Sequence, residues 1–134
     1  MTRTVILAVV VSLTAAGSAQ TPAAPAGKET GLAAVYADAL KGHTTASGEK
    51  YDPTKLTAAH KTLPFGTTVR VTNTRNNKSA VLRITDRGPR QAGRVLDISP
   101  AAAARLGINR HAMREVTVEV VELGSGKTRL RAAR

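Results

Sequence analysis

Asp86 stands at the end of an alternating apolar stretch, in a position suited to acid chemistry. Leu82 and Ile84 share one face of a period-2 pattern, and Asp86 falls on that same face. If the face points inward, the carboxylate lies at the rim of an apolar core, partly removed from water, as acid catalysts often are. Gly88 and Pro89 then end the strand, because Gly permits positive φ and Pro cannot donate to a ladder. The alternative is an Asp that only caps a turn.

Two further titratable residues occupy short polar segments that precede Asp86. Glu49 ends the sequence Thr-Ala-Ser-Gly-Glu, and His60 ends the sequence Thr-Ala-Ala-His. Carboxylates and imidazole are the groups that most often transfer protons in enzymes, so the three residues form a candidate catalytic set. Taken singly, each is more often a turn acid or a hydrogen-bonded structural histidine. His43 and His111 have no partners at metal-ligand spacing, and we predict neither a metal nor a cofactor.

These three residues lie within a series of motifs that resembles a known family. The motifs occupy residues 45–52, 56–67, 69–73, 86–89 and 93–99. In order and spacing they resemble the rare lipoprotein A family, and the resemblance covers residues 31–122. It implies a double-psi β-barrel and a bacterial lytic transglycosylase, a lyase that cleaves peptidoglycan glycan strands endolytically between MurNAc and GlcNAc. It also implies a preference for strands stripped of stem peptides.

The resemblance implies roles for individual residues. Asp86 matches the family's catalytic carboxylate, Glu49 and His60 match its polar partners, and Tyr36 matches the tyrosine of a Trp-Tyr pair. Asp97 matches a position that we interpret as structural, with a carboxylate that fixes the start of a helix. In the implied reaction the C6 hydroxyl of the muramoyl sugar attacks its own anomeric carbon and gives a 1,6-anhydro product. One group can therefore act as acid and then as base, whereas hydrolytic glycosidases usually use two carboxylates.

The net charge of the chain predicts an anionic partner. The sequence contains 20 Lys and Arg against 9 Asp and Glu, a formal charge of +11. Nucleic acid is disfavoured, because no aromatic-basic stacking pattern, recognition-helix signature or zinc-ligand set is present. We expect the partner to be peptidoglycan glycan strands, held by Arg83, Arg87 and Arg94 and contacted by Tyr36. By default each arginine is a solvated surface charge, and Tyr36 is a packing residue.

The first 19 residues have the pattern of a secretory signal peptide. Arg3 gives a positive start, residues 5–16 are almost wholly apolar, and residues 17–19 are small. We therefore expect a periplasmic or secreted monomer that is not inserted in a membrane after cleavage. The sequence contains no Cys, so we expect neither disulfides nor a lipid on a cysteine. Residues 20–31 are typical of a disordered Pro/Ala/Gly linker, and residues 123–134 of a basic tail.

The elements that must position the candidate residues are short. Apolar or alternating runs predict six strands, at residues 32–36, 56–60, 68–73, 80–85, 95–98 and 116–120. Asn76 and Asn77 predict a tight hairpin between the third and fourth strands. Ser99 and Pro100 open one Ala-rich helix that Gly107 ends. Since only 2% of residues are aromatic, the core must be aliphatic. The pattern predicts an all-β fold, a small closed barrel over residues 32–122.

Two departures from the family pattern keep other functions open. Val35 stands where the family often has Trp, which removes a surface on which a sugar could stack. The chain ends soon after the predicted barrel, so we do not expect the septum-targeting SPOR domain of many relatives, nor a division-site location. The first hypothesis is the lytic transglycosylase. The second is a non-catalytic, expansin-like module that binds cell-wall polysaccharide, and the third is an electrostatic binder of anionic polymer with a vestigial site.

Overall fold

Six strands, one α-helix and one short 3₁₀ helix organise residues 27–127, which are the residues that the computed structural model describes. The strands are β1 (Glu29–Val35), β2 (Thr57–Ala59), β3 (Thr68–Asn73), β4 (Ser79–Asp86), β5 (Arg94–Ile98) and β6 (Arg114–Glu122). The 3₁₀ helix (Asp38–Leu40) follows β1, and α1 (Pro100–Leu106) lies between β5 and β6. The predicted signal peptide, most of the predicted linker and the end of the predicted tail lie outside the described residues.

The strands form a closed barrel in the order β1-β5-β2-β4-β3-β6, with β6 returning to β1. Two neighbouring pairs, β1 with β5 and β2 with β4, are parallel, and the other four are antiparallel. The small closed six-stranded barrel predicted from the sequence is confirmed. Strand order was not predictable from periodicity, because a period-2 pattern identifies a strand and its inner face but not its neighbours.

The barrel interior is filled by aliphatic side chains, as the scarcity of aromatics predicts. The fully buried large residues of four strands alternate along the chain and meet at the centre. They are Val69, Val71, Leu82, Ile84, Leu96, Ile98 and Val116. The helix α1 covers this core with Ala102, Ala103 and Leu106. Within residues 27–127, no helix combines the length and the apolar character needed to cross a membrane.

The helix begins and ends as the sequence predicts. The Ser99 hydroxyl oxygen accepts a hydrogen bond from the Ala102 amide, and Pro100 occupies the first turn, where its missing N–H would have no partner. Gly107 ends the helix in the left-handed region, with φ of 66°, and its N–H reaches back to the carbonyls of Ala103 and Ala104.

The start of the barrel differs from the prediction. We predicted a linker up to residue 31, whereas β1 begins at Glu29. The physical reason is pairing across the chain: residues 29–31 lie opposite residues 116–118 of β6 in the antiparallel ladder. Gly31 also lies so close to β5 that an added Cβ would be 2.3 Å from Val95 Cγ1. A local Pro/Ala/Gly composition carries no information about such a distant partner.

Gly124 lies two residues past β6, against the backbone of the connection between β2 and β3. A Cβ there would be 2.2 Å from the carbonyl oxygen of Phe65 and 2.3 Å from the amide nitrogen of Thr67. Because both contacts are backbone, we expect Gly124→Ala to lower the free energy of unfolding by about 3 kcal/mol, measured by urea denaturation. Gly27→Ala is the matched control, since nothing lies within 4 Å of a Cβ there. Equal stability of the two variants would contradict this close packing.

Candidate active site

Two carboxylates and two alanines form a row across four neighbouring strands. In the ladder, Ala34 of β1 lies opposite Asp97 of β5, Asp97 lies opposite Ala59 of β2, and Ala59 lies opposite Asp86 of β4. Residues in register across a sheet place their side chains on the same side. The row therefore brings Asp86 and Asp97 to one face of the barrel, where the charge of Asp86 acts on Asp97.

Asp86 reaches this face because β4 carries an irregularity at its end. The register shifts between Ala58 and Ala59, so that Ile84 lies opposite Ala58 while Asp86 lies opposite Ala59. Ala58 belongs to the core cluster and Ala59 does not. The predicted alternation thus holds through Ile84 and fails at Asp86, whose carboxylate contacts groups outside the core. An extra residue in one strand is the usual way in which a sheet redirects a side chain.

Three donors hold the Asp86 carboxylate in place. The hydroxyl of Tyr36 donates to Oδ2 at 2.8 Å, and the backbone amides of Ala46 and Arg87 each donate to Oδ1 at 2.9 Å. Burial, and then the hydrogen bond to Asp86, raise the pKa of the Tyr36 phenol well above its usual range. Tyr36 is therefore a fixed donor at any physiological pH. The carboxylate has one oxygen on the tyrosine and the other on two amides.

Tyr51 supports Tyr36 from the following loop. The two ring centroids are 5.1 Å apart and the ring planes are inclined by 58°, an arrangement that aromatic pairs favour. Burial raises the pKa of Tyr51 to about 12. Its hydroxyl is buried and has no hydrogen-bond partner among the described residues. Tyr51 thus packs against the residue that donates to Asp86.

Glu49 and Arg83 join the loop at residues 45–49 to β4. The guanidinium of Arg83 donates to both carboxylate oxygens of Glu49, and this contact raises the pKa of Arg83. The same loop is fixed to β4 by the amide of Ser47, which donates to the carbonyl of Thr85 at 3.1 Å. These contacts hold the Ala46 amide against Asp86. The charge of Arg83, predicted to contact substrate, is matched by Glu49 in the structure.

The His60 imidazole contacts the carboxylate of Glu29. Its Nδ1 accepts hydrogen bonds from the amides of Thr62 and Leu63, both at 3.1 Å. Its Nε2 lies 2.7 Å from Oε1 of Glu29 and therefore carries the proton. The His60 backbone completes the link to the site, because its amide donates to the Asp86 carbonyl at 3.1 Å. His60 is thus a buried, oriented imidazole that contacts Asp86 through the main chain.

Asp97 is a second carboxylate of the site and not a helix cap. Arg94 donates to its Oδ1, while the helix start is capped by the Ser99 hydroxyl, so the predicted capping role is wrong. The physical reason is register: Asp97 belongs to β5 and projects onto the row with Asp86. Burial raises the pKa of Asp97, the ion pair with Arg94 opposes this, and the charge of nearby Asp86 adds to the rise.

Arg87 extends from the site toward solvent. Its guanidinium lies 4.0 Å from the centre of the Phe65 ring and donates to the His60 carbonyl at 3.2 Å. Beside it opens a cavity of about 380 Å³, lined by Lys61, Arg87, Gly88, Pro89 and Arg90. A second cavity, of about 430 Å³, is lined by Tyr36 and its neighbours with Arg110 and His111. Two residues that donate to the Asp86 carboxylate therefore line cavities: Arg87 lines the first and Tyr36 the second. Among residues 27–127, no three His, Cys, Asp or Glu residues are grouped as a metal site would require.

A family model described as "Lytic transglycolase" matches residues 28–124. This chain belongs to that family. It is 48% identical over 92 residues to the probable endolytic peptidoglycan transglycosylase RlpA of Synechocystis sp., covering 69% of this chain and 29% of that protein. It is 47% identical over 93 residues to the endolytic peptidoglycan transglycosylase RlpA of Vibrio cholerae, covering 69% and 35%. The chain therefore spans about a third of the length of these curated relatives, and the predicted resemblance to the rare lipoprotein A family is confirmed.

Two solved structures show the same fold. The Streptomyces papain inhibitor matches with a TM-score of 0.58 at 26% identity, covering 73% of this chain and 98% of that one. An expansin of Clavibacter michiganensis matches with a TM-score of 0.56 at 19% identity, covering 72% of this chain and 51% of that one. Together with the closed six-stranded topology, these likenesses confirm the predicted small double-psi β-barrel.

The lytic transglycolase barrel brings the predicted site residues together in two layers. Tyr36 and the Arg87 amide donate directly to the Asp86 carboxylate. Glu49 instead binds Arg83 and so fixes the neighbouring loop, and the His60 amide donates to the backbone carbonyl of Asp86. Sequence reasoning missed Glu29, the partner of the His60 imidazole. The available signal was weak: Lys28 and Glu29 are the first charged residues after Arg3, and they lie within the predicted linker.

The Glu29 contact predicts the tautomer and the stability of His60. We expect ¹⁵N NMR to show the His60 proton on Nε2 and an unprotonated Nδ1, because Nδ1 already accepts two amides. Glu29→Ala leaves the Nε2 donor without its acceptor and should lower the free energy of unfolding by about 1 kcal/mol. Glu29→Gln keeps an acceptor oxygen and serves as the matched control. A proton on Nδ1, or equal losses in the two variants, would contradict the assignment.

The raised pKa of Asp97 predicts a pH-dependent effect on stability. The folded chain keeps the Asp97 proton at pH values above the ordinary pKa of 3.8, where the unfolded chain has lost it. This contribution to stability is complete below 3.8 and is lost as pH rises through the raised pKa. The free energy of unfolding of Asp97→Asn minus that of the wild type should therefore increase with pH across this window, in urea titrations at several pH values.

Asp52→Asn is a control with the opposite sign. Hydrogen bonds from the hydroxyl and amide of Thr54 lower the pKa of Asp52. That contribution is present above the ordinary pKa and is lost as pH falls through the lowered one. The free energy of unfolding of Asp52→Asn minus that of the wild type should therefore decrease as pH rises. If these free-energy differences changed with pH in the same direction for both variants, Asp97 would not have a raised pKa.

Proposed function

We propose that this chain is an endolytic lytic transglycosylase that cleaves the bond between MurNAc and GlcNAc in peptidoglycan, with Asp86 as both acid and base. Membership of the lytic transglycolase family supports the reaction class, and relatives 47% and 48% identical carry the name endolytic peptidoglycan transglycosylase. The observation that carries the proposal is the Asp86 carboxylate. It is held by three donors, and two of them belong to Tyr36 and Arg87, each of which lines a cavity.

One acid suffices for this reaction. Asp86 in its protonated form gives its proton to the glycosidic oxygen as the bond from that oxygen to C1 of MurNAc breaks. The C6 hydroxyl of the same sugar then attacks C1, and the Asp86 carboxylate takes the hydroxyl proton. The new C1–O6 bond closes the 1,6-anhydro ring, the GlcNAc end leaves with a hydroxyl, and no water is consumed. Transfer of both protons through one positioned carboxylate is ordinary general acid and base catalysis.

The other residues of the candidate site have positioning roles in this proposal. Tyr36 holds one oxygen of Asp86 and leaves the second facing the amides at Ala46 and Arg87. Glu49 fixes the loop that supplies the Ala46 amide, through its ion pair with Arg83. His60, oriented by Glu29, holds the backbone at the end of β4. Among the three arginines proposed for substrate, Arg87 fits contact with an anionic strand, since Arg83 and Arg94 are each paired with a carboxylate.

Substrate and location follow from the same proposal. A polymer that lies in the cell wall requires a chain outside the cytoplasm, and the signal-peptide pattern of residues 1–19 supports a periplasmic or secreted monomer. The formal charge of +11 suits glycan strands whose muramoyl carboxylates are free, which are strands without stem peptides. A non-catalytic, expansin-like binding module is the second candidate. It is favoured by Val35, which offers no aromatic face to a sugar, at the place where the family often has Trp.

The proposal predicts that Asp86→Asn abolishes release of anhydro products. Asn can neither give nor take the proton at the glycosidic oxygen, so turnover should fall by about 10³-fold or more, while circular dichroism stays unchanged. The assay digests sacculi and amidase-stripped glycan strands with the chain from Gln20 onward, and mass spectrometry identifies the new ends. Asp52→Asn, a carboxylate change in an exposed turn, is the matched control and should keep wild-type turnover.

Each product class has one meaning in this assay. Anhydro-muramoyl ends from the wild type, lost in Asp86→Asn, support the proposal. Reducing ends would mean hydrolysis and would overturn the single-acid mechanism, with Asp97 as the second carboxylate to substitute. Polymer that pellets with the wild-type chain but is never cut would replace the enzyme with a binding module.

A further inference from the structure

The three aromatic residues of the sequence all connect to Asp86 through contacts in the structure. The sequence contains one Phe and two Tyr. Tyr36 donates to the Asp86 carboxylate, and Tyr51 packs against Tyr36. Phe65 contacts the residue that follows Asp86, because the Arg87 guanidinium lies 4.0 Å from the centre of its ring. The two tyrosines thus support one oxygen of the carboxylate, and the contribution of Phe65 lies in its contact with Arg87.

The Phe65 ring belongs to a turn that is fixed by three contacts. Phe65 is partly buried and packs against the core. The amide of Gly66, the next residue, donates to the Ile84 carbonyl of β4 at 2.8 Å. The Phe65 carbonyl accepts a hydrogen bond from the Gly126 amide at 3.1 Å. A ring carried by such a turn has little freedom to move, so it can support another side chain.

The Arg87 side chain joins the end of β4 to the end of β2. Its Nη1 donates to the His60 carbonyl at 3.2 Å, while the guanidinium lies over the Phe65 ring. The His60 amide in turn donates to the Asp86 carbonyl at 3.1 Å. The amide and the carbonyl of His60 therefore bind two successive residues, Asp86 and Arg87.

The backbone amide of Arg87 is the donor that depends on these side-chain contacts. It donates to Oδ1 of Asp86 at 2.9 Å, and the Ala46 amide donates to the same oxygen. The Ala46 loop has its own support, since the Ser47 amide donates to the Thr85 carbonyl. Arg87, by contrast, follows the last residue of β4 and has no partner in the ladder. Its guanidinium contacts are therefore what ties its backbone to the barrel.

We propose that Phe65 is a positioning residue, which holds the Arg87 guanidinium against the His60 carbonyl and thereby keeps the Arg87 amide on the carboxylate of Asp86. An aromatic face attracts a guanidinium, and an aliphatic side chain lacks that attraction. The inference rests on the proposed function for the role of Asp86. Because a small misplacement of a catalytic group lowers the rate of the chemical step, loss of the ring acts on kcat.

Amide hydrogen exchange without substrate tests the positioning directly. Phe65→Leu keeps an apolar side chain but removes the ring, and should speed exchange of the Arg87 amide about tenfold. Exchange of the Ala46 amide should change by less than about twofold. Phe65→Tyr keeps the aromatic face and should restore slow exchange. Val120→Ala, at another partly buried position packed against the core, is the matched control and should leave both amides as in the wild type.

Arg87→Gln gives the same test without a change near the core. Arg87 is exposed, so the variant keeps the packing of the barrel, and it should speed exchange of the amide at position 87 as much as Phe65→Leu does.

Turnover of the same variants connects the positioning to the reaction. With amidase-stripped glycan strands, Phe65→Leu should lower kcat about fivefold and change KM by less than about twofold. Phe65→Leu combined with Arg87→Gln should lower kcat no further than Arg87→Gln alone, since both changes remove the same contact.

Failure of the positioning and failure of the proposed function give different results. Unchanged exchange of the Arg87 amide in Phe65→Leu, or an equal change in Val120→Ala, would overturn the positioning whatever the turnover. Additive losses of kcat in the double variant would overturn it as well. Faster exchange of the Arg87 amide, in a chain whose wild type releases no anhydro ends, would keep the link from Phe65 to Asp86 and overturn the proposed function.

Discussion

The position of β1 between β5 and β6 is the constraint on which the candidate site depends. This strand closes the barrel, pairing in parallel with β5 and antiparallel with β6. Its two ends supply two contacts of the site: Glu29 at the start bonds the imidazole of His60, and Tyr36 just past the end bonds the carboxylate of Asp86. Loss of β1 pairing would open the ladder and remove both contacts at once. Fold stability and site geometry are thus coupled through one strand.

Ion pairs at the site serve to fix loops more than to stabilise the fold. Arg83 with Glu49 and Arg94 with Asp97 are partly buried, where the desolvation of both charges offsets much of their attraction. The raised pKa of Asp97, despite Arg94 beside it, shows that desolvation dominates there. Such a pair instead fixes a position: the contact of Arg83 with Glu49 holds the loop whose Ala46 amide donates to Asp86. Removal of either partner would leave a charge without its match in a half-buried place.

The sequence predicted what is encoded locally. Alternation identified the strands, and the Ser99-Pro100 start and Gly107 end identified the helix. The role of Asp86 as the central acid stays a prediction. It did not predict pairings between distant segments. Glu29 was predicted to lie in a linker, whereas it pairs with β6. The contact of Arg83 with Glu49, 34 residues away, was not predicted. Charge pairing is a property of the folded surface, and a sequence shows only the count of charges.

Small residues shape the site as much as the acids do. Ala59 lies in register with both Asp86 and Asp97, and it is fully buried but outside the core cluster. A larger side chain at this position would have to displace its neighbours, because Ala59 is fully buried. Alanine in a strand usually contributes little to the stability of the core, because it buries little surface and has low β-propensity. Here a small, fully buried residue occupies the position that pairs with both acids, next to the irregular end of β4.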